Sequence, residues 1–207
     1  MVKTSRAPAP AAALQRLAAE AADCQACDLY RNATQTVFGE GAPDARILLV
    51  GEQPGDQEDK AGEPFVGPAG RILDKALVEA GLSRDDVYIT NAVKHFKWTA
   101  KGKRRIHQRP SASEVAACNR WLSAELTVVD PDVIVVLGAT AGQALFGSRF
   151  RVGAARGQVL ELDGRPVIAT IHPSAIVRVQ EPADREAQLA GLVADLRRAQ
   201  EIQEENR

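Results

Sequence analysis

Sulfur and aromatic side chains are scarce in this chain of 207 residues, which has three cysteines, one methionine and 4% aromatic residues. An odd cysteine count cannot close into a full set of disulfides, so a stapled secreted fold is not the one to expect. No apolar run approaches the roughly 20 residues that span a bilayer. The opening MVKTSRAPAPAAA lacks the apolar h-region of a secretory signal. The expectation is a cytoplasmic protein with no membrane partner, and a monomer. Without a secretory context, the triplet Asn32-Ala33-Thr34 reads as a chance match to a glycosylation acceptor. Neither a phosphate loop ending in Lys-Ser/Thr nor a G-x-G-x-x-G turn is present, which weighs against a nucleotide hydrolase or a dinucleotide enzyme. Net charge is −1, so any attraction to a polyanion must come from a local patch.

What is present is organised around Ile47–Gly70, ILLVGEQPGDQEDKAGEPFVGPAG. The branched run Ile47–Val50 is too short for a helix and reads as a buried strand. Gly51 ends it. A long polar loop follows, with Glu52, Asp56, Glu58, Asp59 and the single aromatic Phe65 among hinge glycines. Pro68 then opens a helix that Gly81 closes. A loop of this length at the end of a strand is a functional-site candidate.

The 207 residues and the 45% hydrophobic content suit one globular domain, with residues 1–9 as a disordered tail. Ala11–Ala22 should be helical. Val87–Thr90 and Val133–Leu137 are further strands. Ser111-x-x-Glu114 is a capping-box signature for a helix reaching about Val128. Gln158–Leu162 and Pro166–Ile171 flank Asp163-Gly164 as a hairpin-like pair, and Ala183–Gln200 is an amphipathic helix. Tyr30–Asp44 and His95–Pro110 read as irregular. Strands alternating with helices predict a three-layer α/β/α fold around a mostly parallel sheet. Glu52, Asn91 and His172 each follow a predicted strand. Parallel strands would bring all three to one edge of the sheet.

Cys24 and Cys27 form a C-x-x-C pair, and Cys118 lies far along the chain. No fourth cysteine remains. Of the three histidines, His95 is the favoured fourth ligand, because it stands at the mouth of the loop leading toward Cys118. A Cys₃His set suits zinc, and equally an iron–sulfur cluster with one cysteine replaced. From Lys94 to Arg109 the chain carries seven cations and no acid, leaving −8 (−1 minus 7) on the rest. With Phe96 and Trp98 interleaved, that run suits phosphate contact and base stacking.

Together, GEQPG, DKAGEPFVGPAG, YITNAVKH, the C-x-x-C with Cys118, and HPSAIVR resemble the motifs of family 4 uracil-DNA glycosylases. The resemblance runs from about Cys24 to the C-terminal helix. It implies their α/β/α fold, a [4Fe–4S] cluster on Cys24, Cys27, Cys118 and His95, and excision of a flipped uracil from DNA. Three departures are similar to the UdgX subgroup: His95 where a cysteine is usual, Gln53 in the first motif, and the inserted KRRIH of Lys103–His107. In that subgroup the KRRIH histidine becomes covalently attached to the deoxyribose.

By this resemblance, Phe65 stacks on the flipped ring, with Gly51 and Gln53 lining the uracil pocket. The carboxamide of Asn91 donates to and accepts from the base edge, and His172 stabilises the departing base. His107 captures C1′, and Glu52 orients it or takes its proton. Lys101, Lys103, Arg104, Arg105, Ser174 and Arg178 are the expected DNA contacts. The competing expectation is a non-catalytic iron–sulfur or zinc module that binds nucleic acid.

Overall fold

The structure is a computed structural model that describes residues 9–206. Apart from Ala9, the tail expected over residues 1–9 lies outside the described residues. The elements run α1 (Pro10–Ala22), β1 (Glu40–Gly41), β2 (Ile47–Gly51), α2 (Asp56–Ala61), α3 (Pro68–Ala80), β3 (Val87–Asn91), β4 (Trp98–Lys101) and β5 (Arg104–His107). They continue with α4 (Ala112–Val129), β6 (Val133–Leu137), α5 (Ala139–Phe146), α6 (Val152–Ala155), β7 (Val159–Leu162), β8 (Arg165–Thr170), α7 (Pro173–Arg178) and α8 (Pro182–Glu205).

Local chemistry sets the helix ends. Proline opens α1, α3, α7 and α8, where a missing N–H costs nothing. Ser111 and Glu114 close a reciprocal capping box on α4. Gly81 ends α3 at φ 88°, a left-handed conformation that suits glycine.

Among the described residues, six strands form one sheet in the order β1-β3-β2-β6-β8-β7. The four central strands are parallel, and β1 and β7 are antiparallel edges. β2, β3 and β6 are buried on both faces, which explains the unbroken apolar runs of β2 and β6 and the apolar start of β3. Ile47 and Leu49 pack toward α3 and α8, while Leu48 and Val50 pack toward α1, α4 and α5. This is the expected α/β/α sandwich. The parallel register pairs Gly51 with Asn91 and Leu137 with Thr170, so the carboxyl ends of all four central strands share one edge.

Three segments differ from expectation. The polar stretch after His95 is a β-hairpin, β4 paired with β5 around Gly102 at φ 61°. Tyr30–Asp44, read as irregular, contributes the short edge strand β1. The acidic loop after β2 contains the helix α2, and two of its carboxylates, Glu58 and Asp59, are buried. Glu58 accepts from the amides of Gly55 and Gly67 and so closes the loop on itself.

Candidate active site

At the shared edge, Gly51 forms a floor. A Cβ there would run into Asn91 Oδ1 and the ring of Phe65, so only glycine fits. Phe65 is buried and holds φ 55°, a strained backbone for a bulky residue and a frequent mark of a functional site. Arg84 keeps the turn in place by donating to Pro64 O at 2.7 Å and Phe65 O at 3.4 Å, while it pairs with Asp74. The ring of Phe65 lies 5.7 Å from that of His172.

Two buried polar atoms here have no partner among the described residues, Asn91 Oδ1 and His172 Nε2. A buried group without a hydrogen bond costs free energy, and in a native fold it calls for a partner, a water, an ion or a ligand. The state of His172 follows from its other nitrogen. Nδ1 accepts from the Ser174 amide at 3.1 Å and lies 2.9 Å from the Ser174 hydroxyl. Burial, with the charges of His107 and Arg178, depresses its pKa to about 4. The ring is therefore neutral at pH 7 and carries its proton on Nε2. A free donor and a free acceptor thus stand beside the ring of Phe65 at the same sheet edge and mark a candidate slot for a planar ligand.

Beside the slot, His107 Nε2 lies 3.4 Å from Glu52 Oε1. Burial lowers the His107 pKa and outweighs the opposing pull of Glu52, and Arg178 adds to the lowering. The imidazole is thus neutral and holds a free lone pair. The other oxygen of Glu52 accepts from Thr140 Oγ1 at 2.5 Å, and that hydroxyl in turn accepts from Arg109 Nε at 3.2 Å. Thr140 lies three residues beyond β6, so a fourth strand end joins the site.

His107 closes the hairpin opposite Trp98, and three contacts moor that hairpin. Gln53 Nε2 donates to Gln108 O and Lys97 O, while its Oε1 accepts from the Lys97 amide. Arg105 pairs with Asp56 at 2.5 Å and with fully buried Asp59 at 2.6 Å, and its guanidinium lies over the rings of Phe96 and Trp98. Lys97 pairs with Glu114 at 2.8 Å.

The three free cysteines gather in a small apolar cluster with Ala21, Leu29, Val93 and Trp121. The Trp121 indole N–H donates to Cys24 Sγ and the Lys94 amide to Cys118 Sγ, each at 3.2 Å. Burial pushes the Cys118 thiol up to about 11 and raises that of Cys27. His95 Nε2 lies 3.0 Å from Thr36 Oγ1, which itself bonds Ala21 O in that cluster. Burial also holds His95 neutral, as a ligand must be. Among the described residues, no set of three His, Cys, Asp or Glu donors is drawn together as closely as a metal requires. The donor types and the N–H groups aimed at sulfur nevertheless suit a thiolate-bound centre.

The family model of the uracil DNA glycosylase superfamily matches residues 38–197. The chain belongs to the uracil DNA glycosylase superfamily. It is 44% identical over 157 residues to a type-4 uracil-DNA glycosylase of Thermotoga maritima, covering 75% of this chain and 78% of the relative. A type-4 enzyme of Archaeoglobus fulgidus is 37% identical over 172 residues (79% and 83%). Another, of Sulfurisphaera tokodaii, is 33% identical over 174 residues (78% and 74%).

In this superfamily member, Gly51, Glu52, Phe65, Asn91, His107 and His172 meet at one edge of the sheet. Both ends of the Gln53 amide are used on the hairpin backbone. Arg105 is paired with Asp56 and Asp59. Ser174 turns toward His172. Arg178 is exposed, and its charge acts on both site histidines. Lys101, Lys103 and Arg104 stand exposed at the hairpin tip with no ion-pair partner among the described residues. Thr140 and Arg84 went unread in the sequence, and Arg109 was read only as one cation of the basic run. The rule that selected Glu52, Asn91 and His172, polar residues just past a strand, would have found Thr140.

Proposed function

We propose that the protein excises uracil from DNA, preferring single strands, and is then captured through His107 on C1′ of the deoxyribose left behind. The observation that carries this reading is the pair of unpartnered buried atoms beside the ring of Phe65 at the sheet edge. Asn91 Oδ1 matches the N3–H of uracil, which cytosine lacks, and Nε2–H of His172 matches a ring carbonyl. Phe65 offers a face for stacking. Flipping the base into the slot costs a few kcal/mol, recovered in part by these contacts.

As the glycosidic bond breaks, its electron pair leaves with the base and negative charge builds on O2, where the His172 donor stabilises it. The sugar becomes oxocarbenium-like. One nitrogen of the His107 imidazole gives its lone pair to C1′, and the ring proton leaves to Glu52, whose carboxylate Thr140 holds in place. Lys101, Lys103 and Arg104 supply phosphate contacts from the hairpin tip. Cys24, Cys27, Cys118 and His95 would hold a [4Fe–4S] cluster. Held by these residues, it would join the end of α1 to the exit of β3 and to α4 and would supply a cross-link to the fold. Family membership and the paired donor and acceptor both weigh against a merely binding module, which needs neither.

Incubation with uracil- and thymine-containing single strands, followed by a denaturing gel, tests the reading. A slow-migrating protein–DNA species, stoichiometric with protein and formed only with uracil, is expected. Repeated release of uracil without that species would remove capture. No reaction with uracil at all would remove the glycosylase.

A further inference from the structure

Lys94 and Glu125 form a fully buried ion pair, with 1% and 0% of their side chains exposed. Neither takes part in the chemistry above. A buried pair is a poor way to stabilise a core, since apolar residues of similar volume often do as well or better. Its position suggests another use. β1 is only two residues long and pairs with β3 no further than Ile89. Beyond that point β3 has no strand on this side, although it must still present Asn91 to the slot.

The pair takes the place of the missing strand. Glu125 Oε1 accepts from the amide of Gly39, the residue just before β1, and from the hydroxyls of Tyr88 and Thr90. Lys94 Nζ bonds Glu125 Oε2 at 2.5 Å, Thr90 Oγ1 at 2.6 Å and the main-chain carbonyl of Asn91 at 2.8 Å. The Lys94 backbone is fixed too: its carbonyl accepts from Val37 N, and its amide donates to Cys118 Sγ. One side chain thus ties the last residue of β3 to α4.

We infer that Lys94, held by Glu125, is a positioning residue that sets the backbone of Asn91 and so aims its carboxamide at the base. This rests on the reading of Asn91 as the uracil-selective group. The uncharged Lys94→Met/Glu125→Leu double variant refills the space without leaving a lone buried charge. Lys94→Gln is a second variant, with an amide too short to reach all three acceptors. Thermal melts, affinity for uracil-free single strands, and the single-turnover rates on uracil and cytosine strands are measured for both. Asn91→Ala serves as reference.

The expected result is a double variant that folds and binds uracil-free DNA as the wild type does, and that melts lower because the Gly39 amide and the Tyr88 and Thr90 hydroxyls lose an acceptor and the Asn91 carbonyl a donor. Its single-turnover rate on uracil should fall at least tenfold, with a smaller ratio of uracil to cytosine processing. A double variant with wild-type rate and selectivity, while Asn91→Ala loses both, would overturn the positioning role alone. Full selectivity in Asn91→Ala would overturn the assignment of Asn91 beneath it. If neither Lys94 variant folds, the pair is a core element and the proposal fails.

Discussion

A neutral His172 makes stability depend on pH in a calculable way. Its pKa is about 4 in the folded protein, against about 6.5 for an unperturbed imidazole. The folded state therefore binds fewer protons than the unfolded chain between these values. The contribution of His172 is fully present above about pH 6.5, falls as the pH drops toward 4, and is lost below that. Between pH 8 and pH 5 the loss amounts to about 2 kcal/mol, close to the limit of 1.36 kcal/mol per pH unit over the 1.5 units below 6.5. Other groups titrate in the same range, His107 and His95 among them, so the wild type alone does not isolate the effect. His172→Gln keeps a polar side chain and removes the titration. Denaturant unfolding of both proteins at pH 8, 7, 6 and 5 should show the wild type losing about 2 kcal/mol more than the variant on going to pH 5. A difference between the two that stays flat with pH would refute the neutral, desolvated imidazole and with it the donor assigned to O2.

Thr140→Val keeps the shape and removes a hydroxyl bonded to a carboxylate, a contact worth about 1.5–3 kcal/mol. Adduct formation should slow roughly 10- to 150-fold in single-turnover assays with DNA affinity unchanged; an unchanged rate would detach Thr140 from Glu52. Replacing Lys101, Lys103 or Arg104 by Ala should each reduce the slope of log K against log salt on single strands by about 0.7. Arg105→Gln should leave that slope alone and lower the melting temperature, because it breaks the contact to buried Asp59; a reduced slope would return Arg105 to the DNA surface.

The layers of the fold were legible because β2, β3 and β6 are doubly buried, so that β2 and β6 carry unbroken apolar runs and β3 an apolar start. Ser111 with Glu114, and Pro68 with Gly81, marked helix ends through local chemistry. The convergence of Glu52, Asn91 and His172 followed from parallel strands alone. The hairpin was hidden because β4 and β5 are largely exposed and lack apolar alternation, although Gly102 was a usable turn signal. The partners of Gln53 are main-chain groups 44 and 55 residues away, which leave no trace in the side-chain pattern. The ion pairs of the basic run were hidden for a similar reason. Lys94, Lys97 and Arg105 look like one patch in sequence, yet each is spent on an acid from another element, Glu125, Glu114, and Asp56 with Asp59.

The division of labour between slot and hairpin is tested most directly by His107→Ser on a uracil-containing single strand, with adduct and free uracil quantified from the same reaction. Serine removes the nitrogen nucleophile and leaves room beside Glu52 for a water, which that carboxylate can activate. Phe65, Asn91 and His172 are untouched, so base release should persist. The account predicts free uracil and an abasic strand with no denaturation-resistant adduct; an adduct that still forms with His107→Ser would contradict it.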